Sequence, residues 1–301
     1  MHRISRSVLL SLVVCCLLGC DKQPTQSTIE SFSWEARNIG TTLNLNAVAA
    51  SDSFLVALGE SGTIYTSTDA NTWTMRHRTN GFLHGVVRSS NKWVAVGDSI
   101  LTSSDGLDWT NSDPTRSHWL NDIAWNGIQF VAVGRSEITI SGNGRNWVTV
   151  YPPSLPNFFE LNAIVWSGAK LVAVGDSVKS SVDAVQWGSV STGHSAVLSD
   201  VSWASSMFLA VGKNGAILTS FDGDSWESSV SSTVVDLNAI AWSGRTFVAV
   251  GNGGVILTSL NTVYWRQEPP VTLENLNDLI WTGKQFLIVG DHGTILVSKT
   301  Q

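Results

Sequence analysis

The sequence predicts an all-β fold: a seven-bladed β-propeller of four-stranded blades. Three observations carry that prediction. A unit of about 40 residues recurs seven times, each unit reads as short strands, and the one strand missing from the last unit stands at the other end of the chain.

The repeat is anchored by a segment of the form Leu-Asn-x-Ile-x-Trp, starting at Leu45, Leu83, Leu120, Leu161, Leu198, Leu237 and Leu276. Ten residues after each start, a bulky residue opens a β-branched run: Leu55, Trp93, Phe130, Leu171, Phe208, Phe247 and Phe286. Fourteen after each start stands a glycine: Gly59, Gly97, Gly134, Gly175, Gly212, Gly251 and Gly290.

Within a unit, the first strand ends at the Trp position and turns through pairs such as Asn126-Gly127 or Ser243-Gly244, which suit hairpins needing positive φ. The second strand is the run ending in glycine. In four units a Gly-x-x-Gly turn follows, opening at Gly59, Gly212, Gly251 and Gly290. With no helix N-terminus behind it, this is a hairpin turn and not a phosphate cradle. The third strand reads Ile-Leu-Thr-Ser, and the fourth begins around Trp73, Trp109, Trp147, Trp187, Trp226 or Trp265. The seventh unit stops at Gln301 without a fourth strand, while Ser31-Phe32-Ser33-Trp34-Glu35-Ala36 precedes the first unit. The strand around Trp34 is therefore expected to complete the last blade and hide its edge.

The N-terminus bears on location. Arg3 and Arg6 precede a short apolar run, Val8 to Leu18, too short to span a bilayer and of signal-peptide length. It ends in Leu17-Leu18-Gly19-Cys20, which resembles the lipobox of bacterial lipoproteins. The resemblance implies cleavage before Cys20, lipidation of its thiol and attachment to the cell envelope. Asp21 resembles an inner-membrane retention signal, favouring the periplasmic side of that membrane. The expected organisation is a signal peptide over 1–19, a lipidated cysteine and polar tether over 20–31, and the propeller over 32–301. Cys15, Cys16 and Cys20 are the only cysteines, so no disulfide is expected in the domain. Loss of residues 1–19 takes the formal charge from −6 to −8 without leaving any Lys/Arg-rich run, which argues against nucleic acid as a partner.

Between third and fourth strands lies Ser-x-[Asp/Asn]-x-x-x-Trp: Ser67/Asp69/Trp73, Ser103/Asp105/Trp109, Ser141/Asn143/Trp147, Ser181/Asp183/Trp187, Ser220/Asp222/Trp226 and Ser259/Asn261/Trp265. The side-chain oxygens are expected to fix a turn and the Trp rings to pack between sheets. These turns resemble the Asp-box (BNR) repeats of sialidase-type propellers, most of all in bacterial propellers similar to photosystem II assembly and stability factors. The resemblance covers roughly residues 32–301 and departs in having one residue fewer between Asp and Trp. It implies the fold and a structural box, and it is nearly silent on function. Asp105 to Asp108 and Asp222 to Asp224 lack the further acidic ligands of a calcium loop, so no metal and no cofactor are expected.

A sialidase would need three clustered arginines, a Tyr/Glu nucleophile pair and an acidic Asp. Tyr65, Tyr151 and Tyr264 have no Glu placed by a motif, and only Arg88 of the arginines sits on an inner strand. Neither His-Glu-x-x-His nor Gly-x-Ser-x-Gly occurs. The expectation is a non-enzyme.

A partner should bind where the repeat is interrupted. Three consecutive inter-blade loops deviate most: Arg76 and Arg78, leading to His84 and Arg88; Arg116, His118 and Trp119; and the long insertion holding Tyr151, Phe158 and Phe159. Emerging on one face, these would form a patch, basic on one side and aromatic on the other. A ring of Asn46, Asn121, Asn162, Asn238 and Asn277 at one inner-strand offset is expected chiefly to satisfy strand-end backbone. The sequence thus reads as a monomeric, lipid-anchored, non-catalytic scaffold or assembly-type factor with a protein partner; the alternative is a glycan-binding or glycan-cleaving Asp-box protein of the cell envelope.

Overall fold

The runs that end in glycine, such as Phe247-Val-Ala-Val-Gly251, are apolar on both sides, and a strand of that composition needs cover on both faces. The computed structural model, which describes residues 32–114, 118–151 and 159–300, supplies it. Seven four-stranded antiparallel sheets stand in a ring, and the second strand of each, apart from half-buried Met207 at the start of that in blade 5, is buried along its whole length between neighbouring sheets. Blades 1 to 6 take their strands in chain order, over 45–77, 83–111, 120–151, 161–190, 198–229 and 237–267. The innermost strands, which mix buried and half-buried residues, pack on one another around the ring, blade 7 against blade 1 included. The outer strands of blades 1 to 6 are short, as in exposed Thr110–Asn111 and Arg266–Gln267, which leaves little edge to pair with another chain.

The core is divided between the blades. One cluster, for example, joins Ala239, Val248 and Ile256 of blade 6 to Leu276, Phe286, Ile288 and Leu296 of blade 7. Into it the closing strand inserts Phe32 and Trp34. Phe32–Asn38 runs antiparallel to Thr294–Thr300, from Phe32 opposite Thr300 to Asn38 opposite Thr294. Trp34 stands opposite Ser298, and its ring packs at 6.0 Å from Phe32 and 6.3 Å from Phe286. The ring is closed by this strand, as the missing fourth strand of the last unit requires.

The seven glycines have one cause. Every pairing of first and second strands skips the residue after the repeat's Leu, a β-bulge that brings the preceding carbonyl onto the glycine. A Cβ at Gly134 would lie 2.0 Å from the Trp119 oxygen, and one at Gly175 1.9 Å from that of Glu160. Only glycine fits there.

The Ser-x-Asp turns form as their composition dictates. Asp105 Oδ1 accepts from Leu107 N at 2.8 Å and Asp108 N at 3.1 Å, the Ser103 hydroxyl accepts from Gly106 N, and Trp109 Nε1 donates to the Gly106 carbonyl. Asp222 is held the same way, and its carboxyl lies at about 2 because two backbone N–H groups hold the charged form.

Candidate functional site

All innermost strands start at the same end of the ring. The inter-blade segments and the turns between second and third strands therefore share one face, the entry face. The hairpins between first and second strands share the exit face with the Ser-x-Asp turns. The innermost strands line a channel between them.

At the entry end of the channel the amides act as a chain of clasps. Nδ2 of Asn46, Asn121, Asn162, Asn238 and Asn277 donates to the carbonyl of the repeat Leu in the next blade, at 2.7–3.0 Å. The last of these runs from blade 7 to Leu45 of blade 1. This is the backbone role expected from their offset.

One residue deeper lies a feature that sequence reasoning missed: Asp122, Asp200 and Asp278, in blades 3, 5 and 7. Each Oδ1 accepts from the N–H of the next residue in its own strand at 2.7 Å. Each Oδ2 reaches across to the following blade, to Ile164 N at 2.8 Å, Ile240 N at 2.8 Å and Val48 N at 2.7 Å. The blades that receive them carry Ala163, Ala239 and Ala47 at the same offset, and blade 2 carries Gly85, where a Cβ would meet the Asp122 Cα at 2.8 Å. The alternation of Asp with small residues was the available signal. Although half-buried toward the lumen, these carboxyls are enclosed by protein, and that burial outweighs the hydrogen bonds: Asp122 is pushed up to about 7, Asp200 to about 6, and Asp278 well above the ordinary range. The charge of Asp200 also raises Asp122, and both raise Asp278. The lumen they share is a cavity of about 290 Å³. No group of three or more metal-ligating side chains clusters among the described residues. With one oxygen on its own strand and the other on the next, each aspartate joins two neighbouring blades.

The predicted patch comes together only in part. Arg76, in the outer strand of blade 1, and Arg78, just beyond it toward the entry face, are exposed, with Arg76 Nε donating to Thr66 Oγ1 at 2.9 Å. His84 is half-buried under Phe82, the two rings parallel to within 6° at 6.1 Å. Burial holds the His84 imidazole below its usual range, against the pull of Asp98. Trp119 is 57% exposed, with the Arg135 guanidinium 4.7 Å over its ring, and Phe82 is 46% exposed. Phe82 and Arg135 belong to the patch and were not among the expected residues. At the positions corresponding to Trp119 and Arg135 the other blades carry Asn44 with Glu60, Phe82 with Asp98, Glu160 with Asp176, Val197 with Lys213, Asp236 with Asn252, and Asn275 with Asp291. Only blade 3 stacks an arginine on an exposed indole.

Four expected residues stand elsewhere. Arg88 ends the innermost strand of blade 2 and so lies on the exit face, beside its cross-strand partner Trp93. His118 is 1% exposed, its Nε2 3.2 Å from the Asp113 carboxylate and its Nδ1 4.0 Å from that of Glu137, so it offers nothing to a partner. Phe159 is 6% exposed, edge-on to half-buried Tyr151, and buried Lys179 places its ammonium 4.9 Å from both rings. These aromatics fill the gap between blades 3 and 4. Arg116, Phe158 and Cys20 lie outside the described residues.

On the exit face the repeat's Trp forms a collar: Trp125, Trp166, Trp203, Trp242 and Trp281, all half-buried, with Trp125, Trp203 and Trp281 within 4.8 Å of the Phe that opens the next strand.

No protein-family model and no curated protein matches the chain. Solved structures do resemble it. YCF48 from Cyanidioschyzon merolae shares 17% identity at a TM-score of 0.72, over 88% of this chain and 98% of that one. YCF48 bound to D1 peptide shares 18% at 0.74, over 89% and 96%. A catalytically inactive virginiamycin B lyase from Staphylococcus aureus, with quinupristin, shares 11% at 0.79, over 90% and 100%. At these identities the likeness shows the propeller fold, which carries both a peptide-bound protein and a lyase.

Proposed function

We propose that this chain is a non-catalytic, protein-binding propeller of the scaffold or assembly-factor kind, held at the cell envelope by lipid on Cys20. The observation that carries the binding part is the pairing on adjacent blades of exposed Trp119 under Arg135 and exposed Phe82 over His84, with Arg76 and Arg78 exposed on the stretch of chain that leads into blade 2. Indoles and guanidinium groups are the side chains most often responsible for binding energy at protein interfaces. Basic and aromatic together, they fit an acidic segment that carries apolar side chains. The peptide on a structurally similar propeller, YCF48 bound to D1 peptide, supports this reading. For the anchor the support is Leu17-Leu18-Gly19-Cys20.

A photo-crosslinking residue at position 119 tests the face. It should capture a discrete partner in intact cells, while the same residue at position 197 on blade 5 should not. Equal labelling at both positions would remove this surface. Cys20→Ala should abolish incorporation of labelled palmitate and release the protein from membranes.

A further inference from the structure

The collar on the exit face is incomplete, and the gap has chemistry of its own. At the offset where blades 3 to 7 place Trp, blade 1 has Ala50 and blade 2 has Arg88. These are neighbours in the ring, so two rings are missing side by side. A cavity of about 460 Å³ opens there, with Trp281 on one side of Ala50 and Arg88 on the other. A second cavity, of about 520 Å³, adjoins it outward between blades 7 and 1 and shares Ala50, Ser51, Asp52 and Thr282 with the first.

The polar groups of this cleft are not saturated. The Arg88 guanidinium is exposed and lies 5.7 Å over the Trp93 ring, with no carboxylate bound to it among the described residues. Lys284, in the outer cavity, likewise has no acidic partner, and the Asp52 carboxylate is exposed without a cation. The Ser51 and Thr282 hydroxyls, by contrast, are spent inside their turns, and Asp69 Oδ1, at the far end, is taken by the N–H groups of Asn71 and Thr72.

We propose that this cleft binds an anionic sugar, a hexuronic acid unit within an oligosaccharide. The apolar C–H face of a pyranose packs against Trp281, which lines the cavity. The uronate carboxylate takes the bidentate fork of Arg88. Asp52 accepts from sugar hydroxyls, a role that a ligand bearing only a carboxylate would leave unfilled and repelled. The two joined cavities give length for a neighbouring unit whose acid group reaches Lys284. This site lies on the opposite face from the protein-binding patch and does not depend on it.

Tryptophan fluorescence of the full-length chain, titrated with trigalacturonate, reads the proposal directly. Saturable binding is expected, with the neutral galactose trimer binding about tenfold or more weakly, the loss expected for one charge-assisted pair. Ala50→Trp, which restores the repeat's own residue and fills the notch, should abolish the signal. Arg88→Ala, which leaves the collar untouched, should weaken binding by about the same factor as removing the acid. Arg76→Glu with Arg78→Glu on the other face should change nothing. No saturable binding, equal binding of the neutral trimer, retained binding in Ala50→Trp, or displacement by an N-acetylated tripeptide with a free C-terminus would each overturn it.

Discussion

Replacing Trp34 with alanine removes the largest side chain that the closing strand places in the core. Its indole is 8% exposed and packs against Phe32 and Phe286 inside the cluster between blades 6 and 7. Truncating a buried Trp costs about 3–5 kcal/mol through lost transfer energy and an unfilled cavity. One term runs the other way: the indole Nε1 is buried without an acceptor, and removing it returns about 1 kcal/mol of desolvation. The expected loss is therefore about 3 kcal/mol, which for a domain of this size lowers the melting temperature by roughly 6–10 °C. Urea denaturation followed by fluorescence at fixed m-value gives the number. Asn38→Ala, a surface change at the far end of the same strand, should stay within about 0.5 kcal/mol. A loss below about 1 kcal/mol for Trp34→Ala would mean that the strand is peripheral and the ring is not held shut here.

The aspartate triad sets a pH dependence. An unfolded chain loses its carboxyl protons near pH 4, whereas the folded one holds them on Asp200 to about 6 and on Asp122 to about 7. The folded state binds more protons through that window, so this contribution is full below about pH 4 and is lost as the pH rises to about 7. Urea midpoints taken from pH 4 to 8 should fall, and the slope should vanish with Asp122, Asp200 and Asp278 all changed to Asn. Below pH 4 the opposite sign takes over, because Asp69, Asp105, Asp183 and Asp222 are held low by turn hydrogen bonds whose benefit disappears on protonation. Gly134→Ala forces a Cβ against the Trp119 carbonyl and should cost about 3 kcal/mol by thermal melting while also loosening the indole above it. Arg76→Glu with Arg78→Glu should weaken partner capture yet leave the melting temperature within about 2 °C, as for exposed charges.

What could be read in advance was what repeats locally. The glycines, the Ser-x-Asp turns and the Trp rings recur at fixed offsets because each blade solves the same packing problem. The orphan strand around Trp34 was legible because one copy lacked its fourth strand. Asp122, Asp200 and Asp278 showed only as an alternation with small residues, because each finds its second hydrogen bond on the next blade, about 40 residues on for the first two and across the ring closure at Val48 for Asp278. Arg88 misled for a geometric reason. Four residues beyond His84 is roughly 13 Å of extended strand, enough to cross from one face to the other. His118 and Phe159 occupy loops, where polar and aromatic residues read as exposed; here they plug gaps between blades.

The closing strand also fixes how the ring would yield to force. Phe32 and Thr300, at the two free ends of the pairing, lie opposite each other at the same end of the sheet. A load applied between Phe32 and Thr300 therefore acts across the hydrogen bonds and opens them one pair at a time, a peeling geometry weaker than shear along the strands. The first pairs to part would be Phe32 with Thr300 and Ser33 with Lys299, and the third brings the load onto Trp34. Phe32 and Trp34 thus sit as rivets at the point where tearing starts, and a pull from the N-terminal side meets buried aromatic surface before it can reach the rest of the blade.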